Sequence, residues 1–394
     1  MEPARTLAIA GAGIGGLTAA LTLNRIGYRV IILERETELT EAGAGLQLSP
    51  NASRVLIDLG LEQSLASTAI TPEAIRVINA RSGRDIARLP LGERVSTRFR
   101  APYWLIHRAA LQATLAAKVR ATPGIELRLG WRFDEVTDEA SGVTVIQRRG
   151  MSYRAERVQA LIGADGVWSA VRQQVFPEAG PRFSRRIAWR GMIDAAHAPR
   201  FFEKRNVHLW MGPNAHLVAY PVVGSGSINL VAIVTGEWNK PGWSEPGHAA
   251  ELARHFTKPW DDFARALINA TPSWRKWALF EVPNPVFAKG AVAMLGDAAH
   301  AMLPFAAQGA AMAIEDAAVL ARSIETHPDD LTAAFRHYET ARRARVSRVQ
   351  RLSRQNGQIY HLKGVASTAR DQTMRLLGGK RLLARQNWIY GWRP

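Results

Sequence analysis

The chain has 394 residues, of which 47% are hydrophobic and 22% are charged, so it can bury a large core divided between two lobes. It contains no Cys, which excludes disulfides, thiolate nucleophiles, iron–sulfur clusters and cysteine-based zinc sites. Any redox chemistry must therefore come from a bound cofactor.

The formal net charge of +17 is the one unusual bulk property, and such a charge can serve nucleic-acid or membrane binding. However, the arginines between 342 and 354 fall on several faces of a predicted helix, and no nucleic-acid motif accompanies them. The longest stretch without Asp, Glu, Lys or Arg, 206–236, contains prolines and glycines, which favours sheet over a membrane span. No secretory signal precedes the first strand. We expect a cytoplasmic protein without nucleic-acid or membrane partners, whose charge attracts anionic cofactors and substrates.

Residues 5–34 show the pattern strand, glycine turn, helix and strand, which predicts a βαβ unit. The turn, Gly11-Ala12-Gly13-Ile14-Gly15-Gly16, lets backbone N–H groups at a helix N-terminus approach a pyrophosphate. Glu34 ends the second strand, where its carboxylate can accept hydrogen bonds from ribose hydroxyls. The predicted dinucleotide-binding residues here are Gly11, Gly13, Ile14, Gly15, Gly16, Glu34 and Arg35. A plain tight turn is the alternative, and the loop alone does not distinguish NAD from FAD.

The pattern changes after about residue 173. Alternating apolar runs at 207–210, 217–222 and 228–234 predict an antiparallel sheet in a second lobe that ends near 284. An apolar strand at 291–295 and a helix at 309–324 then return to the first lobe. Beyond about 330 the sequence is helical and basic, and Gly378 and Gly379 mark a break.

Two further glycine motifs lie downstream of the first. They are Gly163-Ala164-Asp165-Gly166-Val167-Trp168-Ser169, which runs on to Arg172, and Gly296-Asp297-Ala298-Ala299-His300, which runs on through Pro304 to Gln308-Gly309-Ala310. With the N-terminal loop they resemble the three fingerprints of the class A, para-hydroxybenzoate-hydroxylase-like flavoprotein monooxygenases, over nearly the whole chain. The run 43–51 and Trp388-Ile389-Tyr390-Gly391 are most similar to the salicylate, 3-hydroxybenzoate and 6-hydroxynicotinate hydroxylase branch.

The resemblance implies an α/β fold with a Rossmann-like FAD-binding lobe of the glutathione-reductase type, an inserted antiparallel-sheet substrate lobe and C-terminal helices. We assign 1–70, 100–172 and 285–325 to the discontinuous FAD-binding domain, 71–99 and 173–284 to the substrate-binding domain, and 326–394 to the C-terminal helical region.

The resemblance also adds cofactor residues to those of the glycine loop. It implies that FAD is bound in addition by Gly45, Arg108, Asp165, Asp297, Gly309 and Ala310. An Asp after a buried strand can accept hydrogen bonds from ribityl hydroxyls, and a helix N-terminus stabilises the negative charge of a reduced flavin. Each has an ordinary alternative: Asp297 as a helix N-cap, Asp165-Gly166 as a hairpin turn, and Arg108 as a solvated side chain.

His216 and Tyr220 are four residues apart on one predicted strand, so both can face one pocket. By resemblance we predict that this pair is catalytic and supplies or relays the base that deprotonates a phenol, although simple packing is the alternative. The predicted substrate-pocket residues are Gln47, Arg190, Pro304 and Phe305, with Arg190 as a carboxylate clamp. By resemblance, the 6-hydroxynicotinate enzymes carry His at the positions of Gln47 and Phe305, which argues against that substrate.

The predicted activity is hydroxylation of a small aromatic, hydroxybenzoate- or hydroxypyridine-like acid with NADH or NADPH and O2. By resemblance, reduced FAD forms a C4a-hydroperoxide that attacks the electron-rich ring. An FAD-dependent dehydrogenase of the same fold that does not insert oxygen, a colourless NAD-dependent dehydrogenase and a basic nucleic-acid binder are the alternatives. The ten histidines show no H-E-x-x-H motif or carboxylate-rich cluster, so we expect no metal. Both a monomer and a homodimer remain open.

Overall fold

The computed structural model of the protein describes residues 5–39, 45–139, 141–199, 202–203, 205–222, 226–240 and 242–394. Residues 43 and 44 of the run 43–51 lie outside this part of the chain.

Strands in the described residues belong to two large and two small sheets. They are, in chain order, β1 (Thr6–Ala10), β2 (Arg29–Glu34), β3 (Gly45–Leu48), β4 (Ala69–Ile70), β5 (Ala74–Asn79), β6 (Asp85–Pro90), β7 (Trp104–His107), β8 (Ile125–Leu129), β9 (Arg132–Glu139), β10 (Gly142–Arg149), β11 (Ser152–Val158), β12 (Ala160–Gly163), β13 (Arg182–Asp194), β14 (Asn206–Gly212), β15 (Ala215–Val222), β16 (Ser227–Thr235), β17 (Ser244–Gly247), β18 (Trp274–Glu281), β19 (Ala288–Lys289) and β20 (Val292–Met294).

Helices cover the first large sheet and form the C-terminal region. They are α1 (Ile14–Arg25), α2 (Pro50–Asp58), α3 (Glu62–Ala66), α4 (Gly92–Phe99), α5 (Arg108–Arg120), α6 (Ala170–Val175), α7 (Ala249–Ala253), α8 (Asp262–Ala270), α9 (Asp297–His300), α10 (Gly309–Thr326), α11 (Leu331–Tyr360), α12 (Gly364–Ala384) and α13 (Asn387–Tyr390).

The first large sheet has six strands in the order β19-β20-β12-β1-β2-β8, and all pairs except β19 with β20 are parallel. Its central strands are short apolar runs, as expected for a sheet that is covered on both faces. The βαβ unit predicted for residues 5–34 is confirmed, because β1 and β2 pair in parallel around α1. The glycine loop therefore lies at the carboxyl end of β1, where nucleotides bind in such sheets.

The second large sheet has eight strands in the order β17-β18-β13-β16-β15-β14-β5-β6. The strands predicted at 207–210, 217–222 and 228–234 are present as β14, β15 and β16. The sheet is mixed and not purely antiparallel, because β5 pairs with β14 in parallel. A parallel pair needs a long crossover, and the chain between residues 79 and 206 supplies it by passing through the first lobe.

The C-terminal helices tie the two sheets together. Helix α11 runs for 30 residues and packs against α10 of the first lobe. Helix α12 packs against β6 of the second lobe and is interrupted at Gly378, whose φ of 69° breaks the helix where the sequence predicted. Among the described residues, no helix is both long enough and apolar enough to span a membrane.

A buried ionic cluster joins α10 to α11. Arg342 donates from Nε to Asp316 at 2.6 Å and from Nη1 to Glu315 at 2.7 Å, and all three side chains are fully buried. Asp316 also accepts hydrogen bonds from His300 at 2.6 Å and from the backbone N–H of Gly296 at 2.9 Å. Burial alone would raise the pKa of Asp316, but the charges of His300 and Arg342 outweigh it and lower the pKa to about 2. The cluster therefore fixes the Gly296-Asp297 motif to the helices behind it.

Candidate active site

Two adjoining cavities lie along the carboxyl end of the first sheet. The first, of about 300 Å³, lies between the two large sheets, and the second, of about 590 Å³, lies beside Glu34. Both are lined by Gly13, Ala164 and Gly166, so together they form one elongated groove. A groove of this shape suits an extended dinucleotide with its redox ring at the end nearer the second sheet.

The glycine loop leaves no room for side chains at two positions. Gly11 has a φ of +103°, and a Cβ added to Gly16 would lie 2.0 Å from the carbonyl oxygen of Gly11. The loop is fixed from two sides, because Ala12 donates its N–H to Glu34 at 2.8 Å and accepts a hydrogen bond from Gln112 at 3.0 Å. The backbone can therefore approach a pyrophosphate closely.

We expect a Gly16→Ala variant to bind FAD more weakly. The added Cβ cannot fit beside Gly11, so the loop must shift at a cost of about 1–3 kcal/mol, or about tenfold to hundredfold in Kd. Flavin absorbance per chain after dialysis measures the loss. Gly180→Ala is the matched control, because a Cβ there meets no atom within 4 Å. A yellow Gly16→Ala protein with unchanged FAD affinity would contradict this role of the loop.

Asp165 has one carboxylate oxygen available for a cofactor. Its Oδ2 accepts backbone hydrogen bonds from Ala170 at 2.8 Å and Val171 at 3.2 Å. Its Oδ1 is buried and has no hydrogen-bond partner among the described residues, and burial raises the pKa of this carboxyl. A buried acceptor without a partner is costly, so a ligand hydroxyl is a fitting occupant. Helix α6 follows this motif, so Asp165-Gly166 is not a hairpin turn between strands.

Asp297 and the start of α10 face the first cavity. Asp297 is the exposed first residue of α9, whose N-cap is Gly296, so the alternative of an N-cap role for Asp297 is not what the structure shows. Gly309 and Ala310 line the same cavity at the N-terminus of the 18-residue helix α10. This positive helix end lies where a reduced isoalloxazine would carry negative charge. The residues present therefore fit FAD.

The other predicted cofactor residues divide between the two cavities. Gly13, Ile14, Gly15, Gly45 and Arg108 line the first. Gly11, Glu34, Arg35 and Asp165 line the second. Gly16 lines neither and acts through loop packing.

One face of the second sheet forms the floor of the first cavity. His216, Val218 and Tyr220 alternate along β15, and Val218 is in register with Val231 of β16. Val231 is in turn in register with Arg190 of β13. The floor is therefore apolar at Val218 and Val231, and the polar groups of His216, Tyr220 and Arg190 lie around this apolar centre. The four-residue spacing puts the Cα atoms of His216 and Tyr220 roughly 13 Å apart along the strand, so the two groups flank a substrate-sized space.

Tyr220 packs against Gly45, the first residue of β3. A Cβ on Gly45 would lie 2.5 Å from the Tyr220 ring, and Gly45 donates its N–H to Asn229 at 2.8 Å. Burial raises the pKa of Tyr220 well above its ordinary value, although Arg190 opposes the shift. Its hydroxyl is therefore protonated at neutral pH and can donate a hydrogen bond, and the predicted role of the His216–Tyr220 pair in supplying or relaying the base stays a prediction.

His216 lines the first cavity, is otherwise buried, and contacts a second histidine through its inner ring nitrogen. Its Nδ1 lies 2.8 Å from Nε2 of His361. Burial, and then His361 and Arg186, lower the pKa of His216 well below its ordinary value. The ring is therefore neutral at physiological pH.

The predicted pocket residues differ in their placement. Gln47, Arg190 and Pro304 line the first cavity, and Gln47 accepts a hydrogen bond from Tyr103 at 2.7 Å. Phe305 is not among the residues that line this cavity, and its predicted place in the substrate pocket stays a prediction. Its side chain packs behind the cavity, with ring centroids 5.3 Å from His216 and 5.8 Å from His361. It lies in the short 3-10 helix Pro304–Ala306, which presents Pro304 to the cavity instead.

Several residues that shape the site were missed from the sequence. His361 and Asn229 contact site residues that are distant in the chain, and no local pattern marks them. The pair Glu315-Asp316 did carry a signal, because two adjacent acids flanked on both sides by apolar residues of a helix need a cationic partner if they are buried.

Comparisons with known proteins show the family to which the chain belongs. The family model described as "FAD binding domain" matches residues 4–353. The chain is 34% identical over 386 residues to 3-hydroxybenzoate 6-hydroxylase of Polaromonas naphthalenivorans, covering 98% of this chain and 95% of that protein. It is 37% identical over 388 residues to a 3-amino-4-hydroxybenzoate 2-monooxygenase of Streptomyces platensis, with 98% and 95% covered. A variant of HpxO from Klebsiella pneumoniae, solved in complex with FAD, superposes with a TM-score of 0.83 at 26% identity and 98% coverage of both chains.

Proposed function

Because the chain belongs to the FAD-binding domain family, we propose that it hydroxylates a small aromatic acid that carries a phenolic hydroxyl group. The chain is an FAD-dependent monooxygenase that uses NAD(P)H as its co-substrate. Bound FAD supplies the redox chemistry, since it accepts hydride from NAD(P)H and activates O2. The substrate, its orientation and the roles of single residues are our proposal.

The observation that carries this proposal is the arrangement of the cavity floor. The part of the first cavity that lies against the second sheet would hold a single-ring acid, beside the part that would hold the flavin ring. Val218, Val231 and Ile233 provide an apolar surface for the ring. Arg190, from the neighbouring strand, offers a guanidinium that can bind a carboxylate.

His216 and Tyr220 stand at opposite ends of the cavity floor. We propose that one of them binds the phenolic oxygen and that the other binds the opposite polar end of the ring. Both groups are neutral, because burial lowers the pKa of His216 and raises that of Tyr220. As hydrogen-bond donors they would stabilise the phenolate of the substrate, whose proton passes to solvent before the site closes. Ionisation raises the electron density of the ring, which electrophilic hydroxylation requires. The lobe of the second sheet excludes bulk water while the reaction proceeds.

The substrate class that fits best is a hydroxybenzoate. Relatives that are 34% and 37% identical are named for 3-hydroxybenzoate and 3-amino-4-hydroxybenzoate, and each compound combines a carboxylate with a phenol. We also propose that the reaction takes place in the cytoplasm, where NADH and NADPH are available.

The experiment is a screen of hydroxybenzoates and hydroxypyridines for stimulated NAD(P)H oxidation, followed by product mass with ¹⁸O-labelled O2. We expect a hydroxybenzoate to give a product with one labelled oxygen atom. Oxidation of a substrate without label in the product would instead indicate the dehydrogenase of the same fold. A colourless protein with salt-dependent affinity for DNA or RNA would contradict both.

A further inference from the structure

His361 lies directly behind His216 on the side away from the substrate cavity. It caps the C-terminus of α11 and is only 7% exposed. Its Nε2 is 2.8 Å from Nδ1 of His216, and the two ring centroids are 5.1 Å apart. A cavity-lining group is therefore bonded through its inner nitrogen to a second ring that does not reach the cavity.

The end of α11 holds the β14–β15 hairpin at two points. Besides the contact between the rings, the backbone carbonyl of His361 accepts a hydrogen bond from Asn214 at 3.3 Å. Asn214 stands in the hairpin turn with a φ of 57°, two residues before His216. The same helix holds the turn that presents Pro304, since Asn356 and Tyr360 both donate to the carbonyl of Phe305. The position of His216 relative to this turn is thus set by α11.

The surroundings of Nδ1 of His361 determine which tautomer each of the two histidines adopts. Its Nδ1 is buried and has no hydrogen-bond partner among the residues that the structure describes. A buried N–H without an acceptor is rarer and costlier than a bare nitrogen. The favoured arrangement leaves Nδ1 bare and puts the proton on Nε2 of His361, which donates to Nδ1 of His216. A neutral His216 then carries its own proton on Nε2.

Both rings remain neutral over the pH range of an assay. Burial, and then Arg186, lower the pKa of His361 to about 3, and burial lowers that of His216. No carboxylate is paired with either ring among the described residues. Neither histidine of this pair is therefore expected to carry a positive charge in that pH range.

We propose that His361 is a positioning residue that holds His216 in the tautomer whose Nε2–H donates into the substrate cavity. This inference rests on the proposed function and specifies the part of His216 in it. His216 is a donor to the phenolate oxygen and not the base that removes the proton. Its effect is that of a fixed dipole directed at developing negative charge.

The test uses the holoenzyme and three substitutions of His361. Gln places its amide nitrogen as many bonds from the backbone as Nε2 of His, so His361→Gln keeps the donor. Asn places its amide at the Nδ1 position, and Phe has no donor. The probe is 3-hydroxy-4-nitrobenzoate, whose phenolate absorbs visible light, and its pKa in the complex is measured by difference spectroscopy. Turnover is measured with the substrate from the screen.

We expect His361→Phe and His361→Asn to raise the pKa of the bound probe by about one unit and to lower kcat about tenfold, as for loss of one hydrogen bond. His361→Gln should stay close to the wild type in both. Wild-type values in the Phe and Asn variants, or equal damage in all three, would overturn the proposal, the latter because it would show a packing role. His216→Phe distinguishes failure of the role proposed for His216 from failure of the positioning role of His361. If that variant leaves the probe pKa and kcat unchanged, the role proposed for His216 itself is wrong.

Discussion

An Arg342→Met variant is expected to unfold with a free energy about 3–5 kcal/mol lower than that of the wild type. The substitution keeps an unbranched apolar stem but leaves Glu315 and Asp316 as buried carboxylates without their shared guanidinium. Arg345 can still pair with Glu315 at 2.6 Å, whereas Asp316 keeps only His300 and a backbone N–H. Denaturant unfolding monitored by Trp fluorescence measures the change. Because Asp316 holds Gly296, flavin retention should fall as well.

Arg343→Met is the matched control for this prediction. It makes the same substitution one residue further along α11, where the side chain is half exposed and pairs with Glu339. Exposed pairs of this kind contribute about 0–1 kcal/mol. Equal losses in the free energy of unfolding in the two variants would show that the buried cluster stabilises the fold no more than an exposed ion pair does.

The cofactor half of the site could be predicted because its residues act through local backbone geometry. The glycine loop, Asp165 and Asp297 each directly follow a buried strand of one parallel sheet. Parallel strands bring their carboxyl ends to one edge, so short motifs that are far apart in the chain meet there. The residues at these strand ends are fixed by the motif itself, and a single sequence shows them.

In the substrate half, strand periodicity placed only the residues of one strand, although Gln47, Arg190 and Pro304 also line the cavity as predicted. The four-residue spacing placed His216 and Tyr220 on one face of β15, and both line the cavity. The residues behind that face come from elements distant in sequence, such as His361 at the end of α11. For the same reason the sequence did not show that the Phe305 ring packs toward α11, because the direction of a side chain in a short 3-10 helix depends on what packs beneath it. Here Gly357 of α11 provides the space for the ring, since a Cβ there would lie 2.8 Å from it.

Tyr220→Phe is expected to retain FAD and to lower kcat by about 10²–10³, the usual cost of removing one donor from developing negative charge in a closed site. The ring keeps its packing against Gly45, so the fold should be unaffected. Rapid-mixing and steady-state rates, with the ratio of product formed to NAD(P)H oxidised, measure the effect. Loss of substrate ionisation should slow hydroxylation more than hydride transfer, so that ratio should fall.

Tyr338→Phe provides the control, because it removes a buried hydroxyl that donates to the backbone of Met294 at 3.0 Å and does not line either cavity. It should lose some stability but keep its turnover. Suppose that Tyr220→Phe turned over at the wild-type rate with an unchanged ratio of product formed to NAD(P)H oxidised. Tyr220 would then be a packing residue, and His216 alone would be the donor that stabilises the phenolate. If instead Tyr220→Phe and His216→Phe each lowered the rate and the double variant were no slower than either, the two donors would act as one unit. That result is the one expected of two groups that flank a single aromatic ring.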